Sequence, residues 1–183
     1  DCDIIVNAVG DITLCATGNR DDELENSVRQ VADYVPKVMA AGFKGIFISI
    51  TNPCDVIAHL IQKLSGLPRG RVMGTGTLLD SSRLIHAISD QTGLDSRGFF
   101  AFMLGEHGAS QIVPWSLINF YGKSLKDMEE DPRFVFDKDK VQETAIKGGW
   151  VTYSGKFCTE YGIASAAATL VRTVLHDEKR ILP

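Results

Sequence analysis

Short apolar runs alternate with longer amphipathic stretches along the first half of the chain. Ile4 to Ala8 is apolar, β-branched and closed by Gly10, the pattern of a parallel strand buried on both faces and followed by a turn. Asp11 to Asp22 is polar and without period, which predicts a loop. Val28, Val31, Val35, Val38 and Met39 then recur at helical spacing, predicting an amphipathic helix that stops at Gly42 and is kinked at Pro36. Gly45 to Ile50 is a second buried strand. Asn52-Pro53 opens a helix through about Leu64, with Gly66 at its end. Arg71 to Gly74 is a third strand, and a further helix runs from about Leu79 to Gln91 and halts before Gly93. This alternation of strand and helix predicts α/β, with a doubly wound parallel sheet, whose ligands sit at the carboxyl ends of the strands. Those ends are Gly10, Thr51 through Asp55, and Gly74 through Arg83.

Beyond Gly93 the pattern changes. Phe99 to Leu104 is an apolar strand leading into Gly105-Glu106-His107-Gly108, and Ile112 to Phe120 is another that ends in Tyr121-Gly122. An acidic linker near Lys126 to Lys140 precedes a helix around Val141 to Val151, and an Ala-rich helix spans Tyr161 to Leu175. A domain boundary is expected near Asp90 to Ser96, dividing the chain into residues 1–92 and 93–183.

Composition narrows the classes. The 183 residues carry 19 Lys and Arg against 23 Asp and Glu, a net charge of −4 without a dense basic run, so the electrostatic footprint of nucleic-acid binding is missing. The apolar runs are far shorter than the ~20 residues that span a bilayer. Four cysteines, Cys2, Cys15, Cys54 and Cys158, form no CxxC pair and are too sparse for a disulfide framework, which fits a reducing, cytoplasmic compartment. No Cys or His pair has metal-ligand spacing, so no metal site is expected. The chain opens Asp-Cys-Asp without an initiator Met and reads as though it begins in the middle of something.

Three local signals could carry chemistry, and each has a plain structural alternative. His107 lies between Glu106 and Gly108 directly after an apolar strand, where an imidazole could serve as acid or base, although a lone His is more often structural. Asp80 and Arg83 are three apart at a helix start and share a face, which also describes a helix-start acid with a surface pair. Asn52-Pro53 could be only a helix cap. All three fall where an α/β sheet places its site.

Taken together, Ile50-Thr51-Asn52-Pro53-Cys54-Asp55-Val56, Gly74-Thr75-Gly76-Thr77-Leu78-Leu79-Asp80-Ser81-Ser82-Arg83 and Leu104-Gly105-Glu106-His107-Gly108 closely resemble the L-lactate and malate dehydrogenase family in order and spacing. The resemblance runs along essentially the whole chain. It implies the second half of a Rossmann-type sheet joined to most of an α+β substrate domain, and an NAD-dependent enzyme that moves a hydride to or from C2 of an L-2-hydroxy acid. By that likeness His107 is the acid/base, Asp80 orients its ring, and Arg83 forks onto the substrate carboxylate. Arg20, on the loop after the first strand here, is the second cation that polarises the C2 carbonyl. Arg29 and Arg97 are plain alternatives for it. Asn52 and Thr159 line the substrate, while Val9, Gly10, Ile50 and Asn52 line NAD. A homotetramer or homodimer is implied for the intact protein.

The loop bears on which acid is bound. A dicarboxylate such as malate would want another Arg before Arg20, yet residues 11–17 hold none and Asp11 adds repulsion. Ile12, Leu14 and Cys15 look more like the branch acting on branched or aromatic 2-hydroxy acids, such as L-2-hydroxyisocaproate dehydrogenase, than like strict lactate dehydrogenase. Malate dehydrogenase is the alternative, and a non-catalytic fragment or structural paralogue is the rival of another class. Val9-Gly10-Asp11 stands where the family usually has Ala-Gly-Ala, Ala109 where Asp or Asn is common, and Phe157 where a small residue is usual. The dinucleotide fingerprint is absent, since Gly74-Thr75-Gly76 lacks the third glycine. By the resemblance the chain starts at the family's fourth strand, with most of the adenosine site upstream and a C-terminal helix downstream.

Overall fold

The computed structural model describes residues 2–17 and 20–183, and the side chains of residues 15–21 lie outside that description. Strands β1 (Ile4–Asn7), β2 (Ile46–Ser49) and β3 (Val72–Gly74) form a parallel sheet in the order β1-β2-β3. Ile4 stands opposite Ile46, and Phe47 opposite Val72. Sequence order equals spatial order, so each crossover advances the sheet in the same direction, as one half of a doubly wound sheet does. Helices α1 (Arg20–Ala40) and α2 (Cys54–Ser65) supply the crossovers and pack on each other. Val31 and Val35 of α1, Phe47 of β2 and Ile57 and Ile61 of α2 are all fully buried in one cluster. Each such side chain contributes roughly 1.5–3 kcal/mol by leaving water.

One expectation for this region changes. The loop predicted over Asp11 to Asp22 contains a 3-10 turn at Ile12–Thr17, and α1 already begins at Arg20. Asp11 starts the turn, because its Oδ1 accepts from both the N–H and the hydroxyl of Thr13, at 3.0 and 2.6 Å. These bonds hold the Asp11 carboxyl below its ordinary range. Pro36 lies inside α1, as expected, and the helix ends at Ala40. At α2 the expected punctuation is present: Pro53 stands at the N-cap after a cis Asn52-Pro53 peptide, and Gly66 closes the helix in the left-handed conformation at φ 65°.

The chain divides into two compact units, Asp1–Gly76 with Glu160–Arg180, and Thr77–Thr159 with Ile181–Pro183. The boundary expected at Asp90 to Ser96 is therefore displaced. Helix α3 (Leu78–Thr92) buries Leu84, Ala87 and Ile88 in one core with Phe99, Ala101, Met103, Ile118 and Phe120, which makes it part of the second unit. The Ala-rich helix α5 (Tyr161–Leu175) has the predicted bounds, but it returns to the first unit and lies against β2.

In the second unit the two predicted strands are reduced to isolated antiparallel bridges, Phe100 to Asn119 and Leu104 to Ile112. Only a short hairpin, β4 (Asn119–Phe120) with β5 (Lys123–Ser124), forms a ladder. Pro114 has no N–H to give, and a 3-10 turn at Trp115–Leu117 follows it, so pairing cannot propagate. The period of two survives nonetheless: Phe99, Ala101 and Met103 are buried, while Phe100 between them is 69% exposed. The acidic linker resolves into 3-10 turns at Lys126–Met128 and Pro132–Phe134. Helix α4 (Lys138–Lys156) is longer than expected at both ends, capped by Asp137 accepting from the Lys140 N–H at 3.0 Å. Among the described residues no helix is long and apolar enough to cross a membrane.

A buried polar knot ties the first unit together. Asn7, 2% exposed, donates to Ser49 Oγ at 2.9 Å and Thr51 Oγ1 at 3.0 Å, and its Oδ1 accepts from the Tyr34 hydroxyl of α1 at 2.7 Å. Burial pushes the Tyr34 phenol up to about 12. Between about pH 10 and 12 the folded chain thus keeps a proton that the unfolded chain has lost, and stability falls as pH rises through that window. Urea midpoints measured from pH 9 to 12 should show this decline, and Tyr34→Phe should flatten it. An equal decline in both proteins would refute the assignment.

Candidate active site

Asp80 sits in the first turn of α3 and is fully buried, an expensive place for a carboxylate unless both oxygens are used. Both are. Oδ2 lies 2.6 Å from Nδ1 of His107, and Oδ1 accepts from Nη1 of Arg83 at 2.9 Å. A carboxylate only accepts, so Nδ1 of His107 carries the proton and Nε2, across the ring, is the nitrogen that can exchange one with a ligand. The His107 side chain is 31% exposed and that of Arg83 20%, so the charge is buried while its two partners reach toward the surface. Among the described residues, Nε and Nη2 of Arg83 make no hydrogen bond, which leaves that edge of the guanidinium for a planar anion.

The placement of these groups follows from hydroxyls flanking Asp80. Thr77, at the α3 N-cap, donates to the Met103 carbonyl at 2.6 Å. The Met103 N–H donates to Ser81 Oγ at 2.9 Å, and Ser81 donates back to the Thr77 carbonyl at 2.8 Å. These bonds clamp one residue of the 99–104 segment, Met103, to the first turn of α3 through both its N–H and its carbonyl. Gly105, at φ 99°, then turns the chain, and His107 follows two residues later.

In the first unit, the carboxyl ends of β1 and β2 are joined by Thr51, whose hydroxyl donates to the Val9 carbonyl at 2.6 Å while accepting from Asn7. Val9, Ile50 and Asn52 are half-buried and Gly10 is exposed, with open space where a Cβ would stand. Cys54 is buried beside them, its Sγ 3.7 Å from Ser49 O and from Thr75 Oγ1, and burial pushes its thiol up. Thr159 is exposed in the segment after α4 and bonds to none of Asp80, Arg83 or His107. The side chain of Arg20 lies outside the described residues. Its two alternatives are engaged elsewhere: Arg29 donates to Asn26 at 3.1 Å, and Arg97 forks onto Asp95 at 2.9 Å. No group of three or more metal-ligating side chains occurs among the described residues.

The model of the lactate/malate dehydrogenase NAD binding domain matches residues 2–74, and that of the lactate/malate dehydrogenase alpha/beta C-terminal domain matches residues 77–183. The chain belongs to the lactate/malate dehydrogenase family. The junction between the two matches coincides with the division of the compact units after Gly76. Curated relatives include an L-lactate dehydrogenase of Fusobacterium nucleatum, 40% identical over 99% of this chain, and L-lactate dehydrogenase 1 of Bifidobacterium longum, 42% identical over all of it. A minor L-lactate dehydrogenase from Enterococcus mundtii, solved with ligands bound, superposes with a TM-score of 0.90 at 29% identity over the whole chain. The chain spans 57–59% of the length of these proteins.

Sequence reasoning picked out Asp80, Arg83 and His107, which the fold brings together, but missed Thr77 and Ser81, which hold them there. Their signal was available as hydroxyls flanking an acid at a helix start. Ser81→Ala leaves the buried Met103 N–H without an acceptor and should cost about 1–3 kcal/mol of stability in urea unfolding. A loss under roughly 0.5 kcal/mol, the scatter of neutral surface changes, would show that the clamp does not hold the segment.

Proposed function

We propose that the complete natural protein is an NAD-dependent L-2-hydroxyacid dehydrogenase, and that these residues carry its acid/base and carboxylate-binding groups. The observation that supports this most directly is the single buried carboxylate of Asp80 holding both an imidazole and a guanidinium. Such a set suits a reaction that must move one proton at an oxygen beside a fixed carboxylate.

The strand ends of the first unit fit a dinucleotide: Thr51 pins the Val9 carbonyl, and the adjoining Gly10 presents backbone with no side chain in the way. Val9, Gly10, Ile50 and Asn52 would hold NAD(H), which when bound accepts the hydride from C2 or delivers it there. Arg83 would grip the substrate carboxylate through Nε and Nη2 and so fix C2 in place. Arg20 would stabilise the charge growing on the C2 oxygen. His107 would deliver the proton to that oxygen from Nε2 in the reducing direction and remove it in the oxidising one. Asp80 keeps the ring in the required tautomer and stabilises the imidazolium. Asn52 and Thr159 would complete the substrate contacts.

For the substrate we favour a monocarboxylic 2-keto acid with an apolar side chain, pyruvate or a larger 2-ketoisocaproate-like acid. Residues 11–17 offer no cation for a second carboxylate, and Asp11 is held as an anion by Thr13.

Initial rates of the complete protein with NADH and pyruvate, 2-ketoisocaproate, phenylpyruvate or oxaloacetate test the substrate reading, which a clear preference for oxaloacetate would overturn. His107→Asn should lower kcat by roughly 10²–10⁴-fold. Near-full turnover by that variant would overturn the mechanism.

A further inference from the structure

The face of α4 that meets α3 shrinks along its length. Val141 and Ala145 are buried in the shared core, and Gly148 follows on the same face at helical spacing. A Cβ on Gly148 would stand 2.8 Å from Cδ and 3.1 Å from Nε of Arg83, closer than packed atoms tolerate. At the adjacent Gly149 the nearest atoms would be the Arg83 Nη1 and Nη2, at 3.5 and 3.6 Å, which is ordinary contact. Glycine weakens a helix interior relative to alanine, so a glycine there calls for a reason, and only Gly148 has a steric one.

We propose that Gly148 is a positioning residue for Arg83. The missing side chain lets the arginine stem lie against the α4 backbone, with Nη1 on Asp80 and with Nε and Nη2 turned to a ligand. An alanine would push the flexible stem aside at little cost to the fold, because the crowded atoms belong to a long side chain. The guanidinium would lose its orientation, and a bidentate carboxylate contact fails when its fork is misaimed. The inference rests on the reading of Arg83 as the group that binds the substrate carboxylate.

The test compares Gly148→Ala, Gly149→Ala and Arg83→Lys in the complete protein by steady-state kinetics and thermal unfolding. Gly148→Ala should raise KM for the 2-keto acid by about tenfold or more while leaving KM for NADH unchanged, and its Tm should stay level or rise by up to about 4 °C. Gly149→Ala should leave both KM values near those of the parent. In an Arg83→Lys background the Gly148 change should add little, since its target is gone. A parent-like keto-acid KM in Gly148→Ala, while Arg83→Lys raises it strongly, would overturn the positioning role and spare the functional reading. Parent-like values in Arg83→Lys would overturn both. Equal effects of the two alanines, or a Tm that falls together with activity, would reduce Gly148 to a packing residue and overturn the proposal.

Discussion

A carboxylate with no access to water must be neutralised and hydrogen-bonded where it stands, and Asp80 imposes that demand on the second unit. Its two oxygens leave room for one imidazole and one guanidinium, and each partner must arrive from a fixed direction. Arg83 arrives from the next turn of the same helix, an i, i+3 relation that α3 guarantees. His107 comes from 27 residues away and has to be delivered by tertiary structure. Removing one partner from such a buried group typically costs about 3–5 kcal/mol, so the three groups are tightly coupled.

The means of delivery is the same in both units. Short hydroxyl side chains at element ends pin backbone that belongs to no regular ladder. Thr77 and Ser81 clamp the Met103 backbone in the second unit, and Thr51, supported by Asn7, Ser49 and Tyr34, pins the Val9 carbonyl in the first. Buried networks of this kind are costly when half satisfied and rigid when complete, which holds both segments in place. Glycine serves the complementary purpose. Gly105 turns the chain toward His107, and Gly148 leaves space for the Arg83 stem.

Much of the first unit was legible because buried parallel strands are continuous apolar runs and their helices are amphipathic, so β1 to β3, α2 and α5 fall where period and punctuation place them. The turn at Ile12–Thr17 was not legible, since it depends on the short-range bonds of Asp11 rather than on period. The second unit was read less well. Phe99 to Leu104 and Ile112 to Phe120 read as apolar strands, but an apolar run does not say whether its neighbour is paired, and Pro114 limits the pairing to isolated bridges. The domain boundary was misplaced because α3 looks like the last crossover helix of the sheet, whereas its buried face belongs to the aromatic core around Phe99, Phe120 and Phe134. At the site, Asp80, Arg83 and His107 are visible as motifs and Thr77 and Ser81 as hydroxyls near an acid at a helix start, while the partners of those hydroxyls and the place of Gly148 come only from distances.

In the proposed function, Asp80 would fix the proton of His107 on Nδ1 and so present Nε2 to the substrate oxygen. Nitrogen-15 NMR of the histidine-labelled complete protein, with its neutral imidazoles, reports the tautomer of each ring directly. The His107 ring should be protonated at Nδ1, with Asp80→Asn altering that population while the exposed His86 is unchanged. A neutral His107 protonated at Nε2 in the parent protein would contradict it.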